Sequence, residues 1–399
     1  MTSFERNGGN IVFRKRGLFM FSFIVALFVV LGAPGSYAQK SAAKKPYVIG
    51  AIFSSTGDNA PLGVPERNTA EMLAKQLNAK GGINGRPVKL LAYDDAGKPE
   101  QAVQACQDLL ANKDVVAIIG PTLTGPSLAI ASMCNSAKMP LLSCAASIKI
   151  VQPVKPYVFK TAQSDYLAVQ KLVEYIKQKK IKTVGFINDA NAFGASGREE
   201  WLKMSKPAGI QTVAMESFNS SDTDMTAQLT KIRAKKPQAV ICWGTNPGPA
   251  IVAKNIRRLG MKQLVLMSHG ISNQEFIQLA GNAAEGIIFP SGKIIVADQI
   301  PASDPQRKVL MAYATQYKKA YGKPAIHFGG HAWDAFELVV DALRKVGPDR
   351  AKIRTNIESR KNFIGIDGVF NFSAKDHNGL NKDAFALITI KNGKWMLVK

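Results

Sequence analysis

Residues 115–120, Val-Val-Ala-Ile-Ile-Gly, form a short run that is apolar at every position before its closing glycine. Segments with helical periodicity lie on both sides of it, one starting near Glu100 and one near Ser127. A strand that is apolar on both faces is typical of a parallel sheet covered by helices on either side. The run therefore predicts one strand of an α/β, doubly wound sheet.

The same alternation of a short apolar run, a turn and a longer helical segment repeats in both directions from this run. The strands predicted in the first cycle are 47–53, 89–95, 115–120, 140–145 and 157–161, and the first of its helices starts near Glu66. A second cycle predicts strands at 183–189, 210–218, 239–245, 264–268 and 286–291. Helices at 305–321 and about 331–346 precede a strand at 368–373 and a hairpin at 384–399, turned by Asn392-Gly393. Two similar α/β halves followed by a shared tail are expected.

The first 38 residues have the pattern of a secretory signal peptide. The basic stretch 14–16 precedes an apolar run, Leu18 to Leu31, that is shorter than the roughly 20 residues needed to span a bilayer. Ser36 and Ala38 supply the small residues that precede a cleavage site. We predict cleavage after Ala38 and a soluble periplasmic protein, with an uncleaved membrane anchor as the alternative.

Composition limits the remaining classes of function. The chain has 399 residues, more than one hydrophobic core usually serves, so two domains are expected. Its 52 basic and 29 acidic residues give a net charge of +23. The lysines are scattered and not interleaved with aromatic residues, so a solvated surface is favoured over nucleic-acid binding. Such a positive field weakly favours anionic solutes.

Metal and catalytic chemistry find little support in the sequence. The four cysteines are too dispersed for a zinc site or a disulfide scaffold. His327 and His331 have helical spacing, but Gly329-Gly330 between them argues against one continuous helix. Asp94-Asp95 is interpreted as a turn after a strand, since no partner for acid–base catalysis lies nearby. No nucleotide-binding, hydrolase or kinase motif occurs, so neither a cofactor nor an enzymatic activity is predicted.

Short motifs in a fixed order carry a resemblance to a known family. They are Ile49-Gly50-Ala51 with Thr56-Gly57, then Gly81-Gly82-Ile83-Asn84-Gly85-Arg86-Pro87-Val88, Tyr93-Asp94-Asp95, Ile118-Ile119-Gly120-Pro121, Asn188-Asp189 with Phe193-Gly194, and Ala283-Ala284-Glu285-Gly286. Over essentially all of residues 39–399 the chain resembles type I periplasmic solute-binding proteins, in the branch that serves branched-chain amino-acid (leucine/isoleucine/valine) ABC importers.

The resemblance implies two doubly wound lobes joined by three crossovers. Lobe 1 would comprise 47–161 plus 292–368, and lobe 2 would comprise 162–291 plus 369–399. The ligand would lie in the cleft between them, at the carboxyl ends of the strands, and the lobes would close on it by a hinge motion. The same fold would place Cys106 and Cys134 on one side of lobe 1, where a disulfide is an open alternative.

Two segments resemble the carboxylate clamp of this family. Thr122-Leu123-Thr124 follows the third strand, and Ser143-Cys144-Ala145-Ala146-Ser147 follows the fourth. Backbone N–H groups at a helix start bind an anion without an arginine. By resemblance, Thr124, Ala145 and Ser147 occupy the carboxylate-binding positions, and simple helix capping by the two hydroxyl residues is the alternative.

The opposite side of the expected pocket departs from the family pattern. Amino-acid binders place a carboxylate where this chain has His269, and commonly a tyrosine where it has Phe193. A buried ammonium without a counter-charge is costly, so these residues suggest a ligand without an α-ammonium or one bound in a different orientation. Asp189 could supply the charge or simply form a turn.

Further contacts to the ligand are expected from apolar and polar residues near the strand ends. Leu62 and Asn246 are predicted to line the pocket, and Phe193 to stack on a ring or pack as an apolar wall. Trp243 lies within a strand, where core packing is the commoner role.

The function expected from these features is capture of a small carboxylate for the inner-membrane permease of an ABC importer. A binder of aromatic or other non-amino carboxylates is the alternative within this class. A ligand-sensing receptor on the same fold is the second alternative.

Overall fold

The computed structural model describes residues 44–398, so the predicted signal peptide and the cleavage after Ala38 lie outside the described residues. The first part of this region alternates strands and helices. They are β1 (Tyr47–Phe53), α1 (Ala60–Ala79), β2 (Val88–Asp94), α2 (Pro99–Ala111), β3 (Val115–Ile119), α3 (Thr124–Ser136), β4 (Leu141–Ser143) and β5 (Val158–Lys160). The five strands form one parallel sheet in the order β2-β1-β3-β4-β5.

The second part continues the alternation and then returns to both halves of the molecule. Its elements are α4 (Asp165–Gln178), β6 (Thr183–Asp189), α5 (Ala192–Ser205), β7 (Gln211–Phe218), α6 (Thr226–Ala234), β8 (Ala239–Trp243), α7 (Gly248–Arg258), β9 (Leu264–Met267), α8 (Gln274–Ala280), β10 (Ile288–Gly292), α9 (Arg307–Tyr321), α10 (His327–Val346), α11 (Arg350–Glu358), β11 (Phe363–Ile364), β12 (Val369–Phe370), β13 (Phe385–Lys391) and β14 (Lys394–Leu397). A second sheet has the order β14-β13-β10-β9-β8-β6-β7, in which β13 and β14 run antiparallel to their neighbours.

Burial on both faces explains why the central strands are apolar throughout. All five residues of β3 are buried. Val116 and Ile119 belong to the same core cluster as residues of α1 and α10, whereas Val115 and Ile118 belong to a second cluster with residues of α2 and α3. The predicted doubly wound α/β class is confirmed.

The predicted boundaries hold within a few residues for most strands. The largest difference is the start of α1, which begins at Ala60, six residues before the predicted Glu66. Two short helices, α8 and α11, were not predicted. The C-terminal hairpin is confirmed, with positive φ at both Asn392 and Gly393 as a tight turn requires.

The prediction that Gly329-Gly330 interrupts a helix is wrong. α10 runs without a break from His327 to Val346. The glycines are explained by close packing, since a Cβ atom on Gly329 would overlap the Tyr313 hydroxyl and one on Gly330 would overlap Ile366. The helix is stabilised by burial along most of its length, which outweighs the low helix propensity of glycine.

Two of the four cysteines contact each other. The sulfurs of Cys106 on α2 and Cys134 on α3 lie 3.5 Å apart, unbonded and buried. Cys144 and Cys242 are also buried and free. The possible disulfide between α2 and α3 therefore stays a prediction.

Replacing Gly329 by alanine should destabilise the protein although alanine favours helices. The new methyl group would overlap Tyr313, and such overpacking typically costs about 1–3 kcal/mol. Gly125→Ala is the matched control, because a Cβ atom there meets nothing closer than 3.6 Å. Urea unfolding without ligand measures both variants. A Gly329→Ala protein as stable as the control would contradict this packing.

Candidate functional site

A cavity of about 320 Å³ lies where the carboxyl ends of the strands of both sheets face each other. This volume is at the small end of the range for small-molecule sites. Its lining comes from the loops and helix starts after strands of the first sheet (Asp58, Asn59, Leu62, Gly97, Pro99, Thr122, Leu123, Thr124, Gly125, Pro126, Cys144, Ala146) and from strand ends, loops and helix starts of the second (Asp189, Asn191, Ala192, Phe193, Ser220, Thr245, Asn246, Pro247, His269, Gly270). Ala162, between the two sheets in sequence, and Phe328 and His331 on α10 complete it.

The N-terminus of α3 forms one end of this cavity. Its cap position is Leu123, and no side chain caps the helix. The first N–H groups of a helix lack partners within the helix and favour an anion. Thr122 is not free to assist, since its hydroxyl donates to Glu66 at 2.5 Å and accepts from the backbone of Ser54 at 3.0 Å. Thr124, which the resemblance assigns to a carboxylate contact, lines the cavity at this point.

The second predicted segment is arranged differently. Ala146 lines the cavity, whereas its neighbours Ala145 and Ser147 do not. The Ala145 N–H donates to Ser143 at 3.1 Å. The Ser147 hydroxyl accepts from the N–H of Lys149 at 3.3 Å and bonds to Ser196 at 2.8 Å. Ser147 therefore acts as a helix cap, the alternative considered for it, because its hydroxyl is hydrogen-bonded to other groups of the protein.

Asn246 and His269 line the side of the cavity formed by the second sheet. They follow the adjacent strands β8 and β9, which explains why residues distant in sequence lie on one wall. Both are nearly completely buried. Neither the Oδ1 atom of Asn246 nor either ring nitrogen of His269 has a hydrogen-bond partner within residues 44–398. Burial lowers the pKa of His269 well below its usual range, so the ring is neutral.

Asp189 lines the cavity, but its carboxylate oxygens already accept hydrogen bonds from within the protein. Both carboxylate oxygens accept from the Ser220 hydroxyl, at 2.8 and 2.9 Å, and one also accepts from the N–H of Asn191 at 3.2 Å. Burial raises the pKa of this carboxyl. These contacts agree with the second of the two roles considered for Asp189, that of a turn residue at the end of a strand.

Apolar side chains on three helices, α1, α5 and α10, contribute to the lining. Leu62 and Phe193 lie in it, as predicted, and Phe328 on α10 joins them. Trp243 is fully buried and does not line the cavity. A Cβ atom on Gly197 would overlap its indole, so Trp243 packs between β8 and α5.

Sequence reasoning missed a group of buried charges next to the cavity. Lys160 is completely buried, and its ammonium donates to Ala162 O at 2.7 Å and to Ser164 Oγ at 3.0 Å. A hydrogen bond of 2.6 Å joins the Asp367 carboxyl group to Nδ1 of His331. His331 in turn lines the cavity. The apolar run that contains Lys160 gave no signal of its burial. Within the described region, no group of three or more metal-binding side chains is arranged for an ion.

Comparison with known proteins gives consistent results. A family model described as "Periplasmic binding protein" matches residues 46–394. The chain is 25% identical over 358 residues to Leu/Ile/Val-binding protein homolog 3 of Brucella melitensis biotype 1, covering 89% of this chain and 94% of that protein. It is 24% identical over 323 residues to a leucine-, isoleucine-, valine-, threonine- and alanine-binding protein of Pseudomonas aeruginosa, covering 80% and 84%.

Solved structures are similar over the same region. An extracellular ligand-binding receptor from Rhodopseudomonas palustris HaA2 has a TM-score of 0.83 at 31% identity, covering 88% of this chain and 99% of that one. A branched-chain amino acid transporter substrate binding protein from Streptococcus pneumoniae, in complex with isoleucine, has a TM-score of 0.78 at 24% identity, covering 89% and 99%. The second match concerns the fold alone.

Lys160 should make the stability of the protein depend on pH. Burial lowers its pKa to about 7 in the folded state, whereas an unfolded chain keeps a value of about 10.4. Between these values the unfolded state binds more protons, so the free energy of unfolding increases as the pH rises from about 7 to about 10. Asp165, whose pKa burial raises to about 7, acts in the opposite direction and below this interval.

We expect the wild type to gain about 3–4 kcal/mol over this interval relative to Lys160→Met, which lacks the titrating group. Urea unfolding at both pH values measures the gain. Replacement of the exposed Lys262 by methionine is the control and should keep the wild-type dependence. Equal pH slopes in the wild type and Lys160→Met would show that the Lys160 pKa is not lowered.

Proposed function

We propose that this chain, which belongs to the periplasmic binding protein family, captures a small carboxylate in the cavity between its lobes and delivers it to the permease of an ABC importer. The observation that carries the proposal is the uncapped N-terminus of α3, with Thr124 beside it, at one end of the cavity. Free N–H groups at a helix start are suited to a carboxylate. Removal of residues 1–38 by a signal peptidase would place the protein in the periplasm.

The fold expected from the resemblance, two lobes with parallel sheets, is confirmed by the structure and by its neighbours. The relatives are solute-binding proteins, and the chain is not an enzyme. None of the helices in residues 44–398 is long and apolar enough to cross a membrane. Lobe boundaries at 47–161 with 292–368 and at 162–291 with 369–399 form part of the proposal. They agree with a first sheet that ends at Lys160 and a second that spans 183–292 and 385–397.

The ligand class proposed first is that of the branched-chain amino acids, because the relatives carry leucine, isoleucine and valine in their names. A non-amino carboxylate, aromatic or aliphatic, is the second candidate. It is favoured by the wall formed by Asn246 and His269, which has no carboxylate, and by the engagement of Asp189 with Ser220.

A thermal-shift screen of residues 39–399 tests the proposal. We expect a member of the amino-acid, aromatic-acid or small-dicarboxylate sets to raise the melting temperature. A ligand at 100 times its Kd should add about 2.7 kcal/mol of stability. Uncharged amides of the same skeletons are the matched controls, since they lack the anion. A protein stabilised equally by acid and amide, or by no acid in the sets, would contradict capture of a carboxylate.

Thr124 should contribute to affinity through its hydroxyl. In Thr124→Val, which has nearly the same shape, we expect binding to weaken by about 1–3 kcal/mol, the usual range for a hydrogen bond to a charged group. Ser147→Ala is the matched control, because its hydroxyl already bonds to Lys149 and Ser196. Isothermal titration with the ligand from the screen measures both. A larger loss in Ser147→Ala than in Thr124→Val would assign the contact to the other segment.

A further inference from the structure

We infer that the edge of the second sheet opposite the cavity is a basic surface that docks onto a membrane of anionic phospholipids. This edge is where β6, β7, β8 and β9 begin, whereas the cavity lies where strands of this sheet end. The surface is separate from the capture of a ligand. Only the choice of a membrane as the partner rests on the proposed function, in which the protein is exported to the periplasm.

Lysines that are far apart in the sequence meet at this edge. The linkers that lead from a helix into β6, β7, β8 and β9 are 179–182, 206–210, 235–238 and 259–263. They contain seven lysines and no aspartate or glutamate. The turn between β13 and β14 lies at the same edge, and a lysine stands on each side of it. These residues form the basic edge: Lys179, Lys180, Lys182, Lys206, Lys235, Lys236, Lys262, Lys391 and Lys394.

The opposite ends of the same four strands lack this charge. The linkers that lead from them into the next helix are 190–191, 219–225, 244–247 and 268–273. They contain no lysine or arginine, and one of them carries Asp222 and Asp224. An even spread of the many lysines of this chain would have placed some at both ends. The positive charge of these linkers is therefore concentrated at one edge of the sheet.

Hydrogen bonds join neighbouring linkers into one continuous surface. The N–H of Lys182 donates to the Gln238 side chain at 2.6 Å. Arg257 donates to the backbone oxygen of Glu285 at 2.7 Å, and the Glu285 carboxylate accepts from the N–H of Gly393 at 2.7 Å. The sheet has seven strands, so neighbouring strands about 4.8 Å apart give an edge about 30 Å wide. The basic edge can thus contact several lipid headgroups at once.

The ammonium groups of the basic edge are available to a partner. All of its lysines are exposed. In the part of the chain that the structure describes, none of them forms an ion pair, whereas Lys203 and Lys231 elsewhere on this half pair with Glu200 and Glu216. Like charges held close together repel each other, so an anionic partner is favoured at this surface.

Helix ends account for only part of this charge. Cations in the last turn of a helix interact favourably with its dipole. Lys182 and Lys262 lie beyond the helix ends, and two of the lysines belong to the hairpin. Lys236 has a φ of +47°, a conformation that favours glycine, and Gly260 occupies the comparable position after α7. Backbone structure therefore does not explain why these positions carry lysine.

Anionic phospholipids fit this surface better than nucleic acids do. The four linkers contain no aromatic residue on which a base could stack and no arginine for a bidentate contact with a base. Clustered lysines bind a negatively charged lipid surface through their charge alone, and each one near the surface adds to the affinity. A protein held on the membrane in this way would reach the permease by diffusion in two dimensions.

Sedimentation with vesicles tests the docking. Residues 39–399 are mixed with vesicles of phosphatidylcholine and phosphatidylglycerol, or with vesicles of phosphatidylcholine alone. We expect binding to the anionic vesicles only, with release at about 1 M salt, where the Debye length falls to about 3 Å. A protein that fails to bind anionic vesicles at low salt, or that binds both kinds equally, would overturn the inference.

Two variants with the same loss of charge locate the contact. The basic-edge variant removes one lysine from each linker: K182Q, K206Q, K235Q and K262Q. The control variant removes four exposed lysines in and after α9: K308Q, K318Q, K319Q and K323Q. We expect at least about tenfold weaker binding in the first, since each lysine near the lipid contributes about fivefold, and nearly unchanged binding in the second. Equal losses in both would show that overall charge attracts the vesicle.

Hydrogen exchange of the wild type on anionic vesicles locates the contact without any substitution. We expect protection in 179–182, 235–238 and the turn between β13 and β14. Protection confined to other surfaces, or binding of double-stranded DNA without binding of vesicles, would contradict the inference. β6 has seven residues, so the basic edge lies about 20 Å from the cavity, beyond the Debye length of about 8 Å at physiological salt. Both variants should therefore respond to ligands as the wild type does, which separates this test from that of the proposed function.

Discussion

The parallel direction of the strands is the constraint on which the site depends. Parallel strands end at the same edge of a sheet, and the helices that follow them begin there. In this chain, β3 and β4 of the first sheet and β6, β8 and β9 of the second bring their carboxyl ends to one cavity. The N-terminus of α3 and the loops that carry Asn246 and His269 therefore face the same small volume. No catalytic or metal-binding group is needed for this arrangement to hold a ligand.

The cavity combines the free backbone N–H groups of a helix start with an apolar lining. Most buried polar groups in a folded protein are hydrogen-bonded. Here the uncapped start of α3 lies at one end of a cavity whose apolar lining includes Leu62 and Phe193, and Asn246 and His269 line its other side. The free N–H groups at the start of α3 are suited to the anionic end of a ligand.

Much of the fold could be predicted from local patterns, whereas the site could be predicted only in part. Apolar runs and turns located the strands, and the helix start after β3 led to Thr124. Ser147 was assigned by resemblance to the family, but successive residues of an extended segment face opposite ways, and here Ala146 lines the cavity whereas Ser147 does not. Gly329 could not be understood without Tyr313, which lies on another helix. Asp165 lies 3.9 Å from His269, more than a hundred residues away in sequence, a proximity that no local pattern reveals.

The most direct test of the account is a crystal structure with the bound ligand. The account predicts the ligand carboxylate within hydrogen-bonding distance of the first N–H groups of α3 and of the Thr124 hydroxyl. A carboxylate turned toward His269, or a ligand bound outside this cavity, would contradict it.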